Sequence, residues 1–488
     1  MNHAGRGEVQ NICISDQDIR SVLRWKRIWN QLNKSFYFCA VKKSFLLFCA
    51  VIQPLFSGAQ SEGMVFRSSK DTSFWVRATA AVQVWTRYTD HNPGSAVNFG
   101  GQTNYTAPKP FDIGIRRARF QLFGNVGSRT FIYAQFGMNN FHANSQRKAG
   151  AFFHDLTADY EVIGKHLVTG GGLTGWSGLS RYAAPSIAST LMYDAPLFQQ
   201  TTNDVSDQFL RKLSLYAKGK IGAFDYRVAL SKPMPVQLAS PSIDTALGGI
   251  ANRSVFSPAL PNLQAQGYFM WQFLQRENNT MPYTAGSYLG EKNVFNLGAG
   301  FIYQPEAMRH LDTRGQMAHT AMRLVAVDLY FDHVVNTLKK TAFTAYLGLF
   351  DFDFGPNHIR TLGVMNPANT SVNPQVQRYS GFGNAYAMFG TGQQLYLQAG
   401  YKLKDSLFNT AGTLQPFADL TYSSYQAFDQ PVIVWNAGFN WLLNKHHSKI
   451  SLNYQDRPVF TEDPSTLRGT SLRSARRGMA VLQYQAFF

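Results

Sequence analysis

From Phe74 to Tyr88 the chain alternates: Phe74, Val76, Ala78, Ala80, Val82, Val84, Thr86 and Tyr88 share one face of an extended backbone, while Arg77, Thr79, Gln83 and Arg87 fall on the other. Side chains of a strand point alternately to opposite faces, so this segment carries grease on one side and charge on the other. Its fourteen steps, at about 3.3 Å each and tilted by about 40°, rise about 35 Å, enough to cross a hydrocarbon band with an aromatic residue at each interface. Strands of soluble proteins usually run to about half that length.

The pattern recurs along the chain. In 113–126, Ala118, Phe120 and Leu122 oppose Arg117, Arg119 and Gln121, and in 130–139, Ile132, Ala134, Phe136 and Met138 oppose Tyr133, Gln135 and Asn139. Further alternating segments lie near 151–162, 165–171, 211–221, 224–231, 264–275, 293–304, 322–332, 341–352, 393–403, 414–425, 432–442, 449–456 and 473–488, which makes sixteen strands. Short connections (127–129, 163–164, 222–223, 443–448) alternate with long polar ones (90–112, 140–150, 172–210, 232–263, 305–321, 353–392, 457–472). Lipid supplies no hydrogen bonds, so every strand edge must find a partner and the sheet must close. The spacing therefore predicts an all-β fold: a transmembrane antiparallel up-and-down β-barrel of about sixteen strands, with long extracellular loops and short periplasmic turns. Two joints fit this rhythm badly, 276–292 being long for an inner turn and 426–431 short for an outer loop, and Pro416 is tolerable only where a ladder ends.

Composition agrees. Only 15% of the 488 residues are charged while 45% are hydrophobic and 14% aromatic, an imbalance that suits a chain facing lipid. The abundance of aromatic and β-branched residues excludes disorder, and the chain body lacks the long apolar run of a membrane helix. The last strand ends in Ala480, Leu482, Tyr484, Ala486 and Phe488 on one face with Gln483 and Gln485 on the other; a terminal aromatic after an alternating strand looks like the recognition signal of bacterial outer-membrane barrels.

The first sixty residues read as processing. Lys42 and Lys43 precede the apolar run 44–52, Pro54 and the small residues Ser57-Gly58-Ala59, so 41–59 is expected to be a cleaved signal peptide and the mature chain to begin near Gln60. Residues 1–40 read as an over-extended N-terminus, with Val41 as the start, and 60–488 as a single barrel domain. Cys13, Cys39 and Cys49 all precede the cut, so an exported mature chain holds itself by backbone pairing and burial rather than disulfides. The first 59 residues carry 8 of the 46 basic and 3 of the 29 acidic side chains, leaving a mature charge of +12 that favours anionic partners.

The stretches 111–120 (FDIGIRRARF), 172–186, 193–198 (YDAPLF), 206–233, 267–273 (GYFMWQF), 288–301 and 453–458 (NYQDRP) resemble the porins related to phosphate-selective porins O and P, in the branch common in Bacteroidota, from about residue 72 onward. The resemblance implies a sixteen-stranded homotrimeric porin of the outer membrane that passes small anions by diffusion, with arginines and lysines conferring the preference. It does not place those residues one by one.

Side-chain direction supplies the candidates. Arg77, Arg87, Arg117 and Arg119 fall on the non-lipid face of adjacent strands, and Lys218 and Lys220 share a face with Tyr216. Stacked across the wall, such groups would replace part of an anion's hydration with charge-assisted hydrogen bonds. The plainer alternative is that they solvate the lumen and pair with Asp155, Asp159 or Glu161. The 172–210 connection is the most apolar of the long ones; Trp176, Leu179, Ala183, Ala184, Leu191, Met192 and Phe198 would anchor it against the wall, leaving Arg181 and Asp194 for a constriction. An external loop touching a neighbouring subunit is the alternative, and charge on outer loops equally suits lipopolysaccharide phosphate.

Enzymatic signatures fail on context. Gly170, Gly172 and Gly175 satisfy a dinucleotide spacing without the βαβ unit it requires; residues 175–179 miss the last glycine of a nucleophile elbow; His446-His447 and His154-Asp155 lack the further ligands of a zinc site. No P-loop or nucleic-acid module is present. The expectation is a non-enzymatic channel needing no cofactor or metal and touching no nucleic acid, preferring phosphate or similar anions, with outer-membrane lipid and lipopolysaccharide as its surroundings. A non-conducting surface-binding or lipid-active outer-membrane barrel is the alternative.

Overall fold

The computed structural model describes residues 63–99, 105–176, 178–236, 252–407, 412–462 and 471–488. The expected signal peptide and residues 1–40 lie outside them. Sixteen strands form the wall: β1 (Trp75–Thr89), β2 (Phe111–Asn125), β3 (Thr130–His142), β4 (Phe152–Ile163), β5 (Leu167–Thr174), β6 (Lys212–Ile221), β7 (Phe224–Lys232) and β8 (Gln264–Gln272) in the first half. The second half is β9 (Val294–Leu311), β10 (Met317–Asn336), β11 (Thr341–Asp353), β12 (Gly392–Lys402), β13 (Thr413–Tyr425), β14 (Val432–Asn444), β15 (Ser448–Glu462) and β16 (Ser471–Phe487). Each pairs antiparallel with the next, and β1 pairs with β16 from Ala81 opposite Phe487 to Thr89 opposite Met479, so the sheet closes as lipid demands.

Alternation decides which way each side chain faces. On β11, Tyr346, Phe350 and Phe352 turn inward and are buried while Leu349 stands outward and exposed. Leu213 and Leu215 on β6 and Val325 and Val327 on β10 are likewise exposed on the outer wall, the side that only hydrocarbon can solvate without penalty.

Several joints differ from expectation. The stretch 305–321 is not a long polar loop: β9 and β10 continue as a tall hairpin with only 312–316 between them. Pro305 suggests a break because it lacks a donor, but a register shift between Gln304 and Met308, with Glu306 at φ 51°, absorbs it as a bulge and the ladder resumes. The six-residue joint 426–431 is short because the 354–391 loop covers it: the Gln426 amide donates to the Thr391 carbonyl at 2.9 Å, and Phe428 packs on Tyr379 and Phe460. Pro416 faces Phe439 of β14, and on its other side the ladder to β12 stops at Gly400 opposite Phe417, next to the missing donor.

Two segments fill much of the interior. The 175–211 connection between β5 and β6 folds inward and buries Leu179, Tyr182, Ala183, Leu191, Met192 and Phe198. Phe198 lies 5.1 Å from Phe350 and 5.2 Å from Tyr396, and Tyr182 lies 4.5 Å from Tyr346. Fully burying each large apolar side chain is worth about 1.5–3 kcal/mol, so the aromatic residues of β10 to β12 form a bed that fixes the segment. From the opposite end, the 273–293 connection between β8 and β9 also enters the barrel, which accounts for its excess length as a turn.

Candidate functional site

The first half of the wall carries a different lining. Strict alternation would put one of the adjacent residues Arg116 and Arg117 on the lipid face, where an arginine costs about 2–4 kcal/mol at the midplane. Instead β2 bulges. Gln83 of β1 lies opposite Arg117 and Val84 opposite Ile115, so Arg116 is the extra residue and both guanidinium groups turn inward and are buried. A matching shift in β4, where Gln135 faces Asp155 and Phe136 faces Phe153, turns His154 inward beside Asp155. Bulges re-aim side chains in this way at the cost of a local kink.

Asp194, on the inserted 175–211 segment, receives both arginines: Arg116 Nε lies 2.9 Å from Oδ2 and Arg117 Nη2 2.7 Å from Oδ1. Burial by itself would lift the Asp194 carboxyl, but Arg116 and Arg117 outweigh it and hold the group below the usual carboxylate range. Arg116 also donates to Asn140 Oδ1 at 2.8 Å, and Arg117 to Gln83 Oε1 at 2.8 Å. Arg119 donates to the carbonyls of Ala118 and Met138 and to Asn139 Oδ1; among the described residues it has no carboxylate partner. Arg211 shares Asp155 at 3.4 Å with the Tyr283 hydroxyl, to which it also donates at 2.8 Å.

These groups face a cavity of about 600 Å³ whose lining includes Arg77, Arg116, Arg117, Arg119, Arg211 and Arg227 against the carboxylates of Asp225 and Glu277. Both carboxylates have cationic partners: Glu277 pairs with Arg181, and Asp225 lies 3.6 Å from Lys220 and 3.9 Å from Arg227. The lining is therefore net positive, and low-dielectric walls strengthen its field.

Of the seven cations marked in the sequence, the structure gathers Arg77, Arg117 and Arg119 on this cavity. The other four sit elsewhere. Arg87 grips Asp112 with two hydrogen bonds, 2.6 and 2.8 Å, and donates to the carbonyls of Val364 and Met365, tying the 354–391 loop to β1. Lys218 is buried between Asp159 at 2.6 Å and the Thr280 carbonyl at 2.6 Å, and Lys220 leans on Asp225. Arg181 is fully buried: its guanidinium holds Glu277 at 2.6 and 2.7 Å and lies 3.5 Å from the centre of the Tyr330 ring. It is a clamp inside the packed half and not part of the cavity lining. Of the seven, Lys218 meets a carboxylate that the plainer alternative names, Asp159, whereas Asp155 takes Arg211, which is not among the seven, and Asp194 takes Arg117 together with Arg116.

Sequence reading misses Arg116, Arg211, Arg227, Glu277 and Tyr283. For Arg116 the signal is there, since two consecutive arginines in a lipid-crossing strand imply a bulge. For Arg211, Glu277 and Tyr283 no local pattern exists, because their positions depend on where an irregular segment folds.

No family model matches the chain, and no curated relative matches it. Among solved structures it is similar to the outer membrane channel DcaP of Acinetobacter baumannii (12% identity, 87% of this chain and 99% of that one, TM-score 0.43). Others are OprB of Pseudomonas putida (9%, 85% and 94%, 0.47) and an anion-selective porin from Comamonas acidovorans (10%, 85% and 99%, 0.45).

Proposed function

We propose that the chain is an outer-membrane porin, a diffusion channel whose arginine-lined cavity favours small anions, and that it belongs to the branch of phosphate-selective porins that its sequence resembles. One observation carries the reading: six arginines face the cavity while both carboxylates among its lining are already paired. An anion there exchanges part of its hydration for guanidinium hydrogen bonds, whereas a cation finds no uncommitted oxyanion among the described residues of the lining. Phosphate, bearing several strong acceptors, is the solute proposed, and the assembly proposed is a homotrimer exported by the signal at 41–59. The Arg119 guanidinium, which among the described residues meets only amide-type oxygens, is the residue proposed to touch the ion directly, with Arg77 and Arg117 beside it.

The test is electrical. Purified protein in a planar bilayer under a potassium chloride gradient should show discrete steps whose reversal potential reports chloride over potassium, and added phosphate should reduce the chloride current by competing for the site. Absence of steps would favour the surface-binding alternative; steps with a cation-side reversal potential would discard the anion reading.

A further inference from the structure

In the 273–293 connection the β8–β9 ladder continues at first, the Phe273 amide donating to the Phe295 carbonyl at 2.9 Å and the Gln275 amide to the Asn293 carbonyl at 3.0 Å, and the residues between them then leave the turn end and cross the lumen. On one side the Thr280 carbonyl accepts from Lys218 at 2.6 Å and the Pro282 carbonyl from Arg227 at 3.0 Å, and Tyr283 reaches Asp155 of β4. On the other side the Tyr288 amide donates to Asp332 of β10 at 2.9 Å, and the Ser287 carbonyl meets His446 at the β14–β15 turn at 3.0 Å. In the middle it is stitched to the 175–211 segment: the Thr284 amide donates to the Ala184 carbonyl at 3.0 Å and the Ser186 amide to the Thr284 carbonyl at 2.8 Å. The Arg181–Glu277 pair locks the same junction. Asn278, Met281 and Tyr283 then face the arginine cavity.

We infer that the 273–293 segment is a second narrowing element of the solute pathway, entering from the end opposite the 175–211 segment, with Met281 as the side chain through which it restricts passage; this rests on the channel reading above. The two segments form one continuous partition, because backbone pairing joins them and neither end of it is free: one segment is rooted between β5 and β6, the other between β8 and β9. Met281 has no hydrogen-bonding demand, remains partly exposed, and borders the same space as Arg119, so its bulk subtracts from the aperture without holding the partition together.

Substituting Met281→Cys tests this directly, since the chain's cysteines all lie at or before residue 49 and the parent treated with the same reagents is the control. In bilayers, an anionic methanethiosulfonate on the introduced thiol should lower conductance about twofold or more and shift the reversal potential toward cations, whereas a cationic one should lower conductance and deepen anion preference. Leu274→Cys, exposed on the same segment and absent from the cavity lining, should be modified without electrical effect. Complete modification of the Met281→Cys variant with unchanged conductance and reversal potential would overturn the inference. If the parent shows no steps, the channel reading fails instead, and the segment is then read by labelling. The thiol of Met281→Cys should react with a small maleimide but not with a large polyethylene-glycol maleimide, and should admit the large one once Arg181→Met releases the junction; equal reaction of both reagents with Arg181 in place would refute the placement.

Discussion

Arg181 and Glu277, 96 residues apart, meet in a two-pronged ion pair of 2.6 and 2.7 Å buried at the junction of the two segments that enter the barrel from opposite ends. Removing one partner of such a pair leaves a charge with nowhere to go, which costs about 3–5 kcal/mol.

Arg181→Met should therefore destabilise the barrel by about 3–5 kcal/mol, read as a lower temperature for the heat-induced shift in gel mobility. Arg181→Met combined with Glu277→Gln should recover part of the loss, because no unpaired charge remains. Equal destabilisation in the single and double variants would show that packing against Tyr330 matters more than charge.

Arg117→Ala with Arg119→Ala removes two of the cavity's guanidinium groups. A unit charge about 4 Å from an ion in water is worth about 1 kcal/mol, or about fivefold in occupancy, so the pair should cut the anion-to-cation permeability ratio severalfold. Zero-current potentials in a salt gradient measure it, and an unchanged ratio would strike both residues from the pathway.

Asp194→Asn works in the opposite sense. It takes away the one carboxylate shared by Arg116 and Arg117, so anion preference should rise by about fivefold on the same scale. The 175–211 segment, having lost its tie to β2, should produce a noisier open-channel current.

Acid should act through the same group. Because the folded protein holds the Asp194 carboxyl below its ordinary value of 3.8, with burial opposing and the two arginines prevailing, its stabilisation is complete above that value. It is lost as pH falls through the lower folded value. Above pH 3.8 the Asp194 contribution to segment order and selectivity should stay constant; below it, as pH falls through the lower folded value, the current should grow noisy and more anion-selective, and Asp194→Asn should remove that part of the acid response.

Phe198→Ala would empty a site between Phe350 and Tyr396. A buried aromatic truncated to alanine costs about 3–5 kcal/mol, here falling on the inserted segment. Protease sensitivity within 175–211 should rise while the reversal potential stays near the parent's, since Phe198, Phe350 and Tyr396 are not part of the arginine cavity's lining.

The strand pattern was readable because lipid on one side and water on the other impose period two, and each of the sixteen alternating segments corresponds to a strand of the wall. The pattern fails where geometry departs from the ideal ladder. The stretch 305–321 reads as a loop because a bulge after Gln304 conceals the continuing strand. Arg117 and Arg119 could be assigned an inward face by counting, but Arg116 could not, because counting assumes no extra residue. The apolar anchors of 175–211 were legible from composition, yet Arg181 among them turned out to be a clamp, since its partner Glu277 belongs to a segment with no periodicity at all. Arg87 was correctly directed inward and still lies off the cavity, because direction fixes a face and not a height along the wall.

The aromatic bed on β10 to β12 has an implication for size. Circumference follows from the number of strands, but part of the enclosed cross-section is occupied by anchored protein, and the arginine cavity lies beside it. Strand number and aperture are thus uncoupled in this barrel: its bore can be retuned by editing two irregular segments while every ladder of the wall stays as it is.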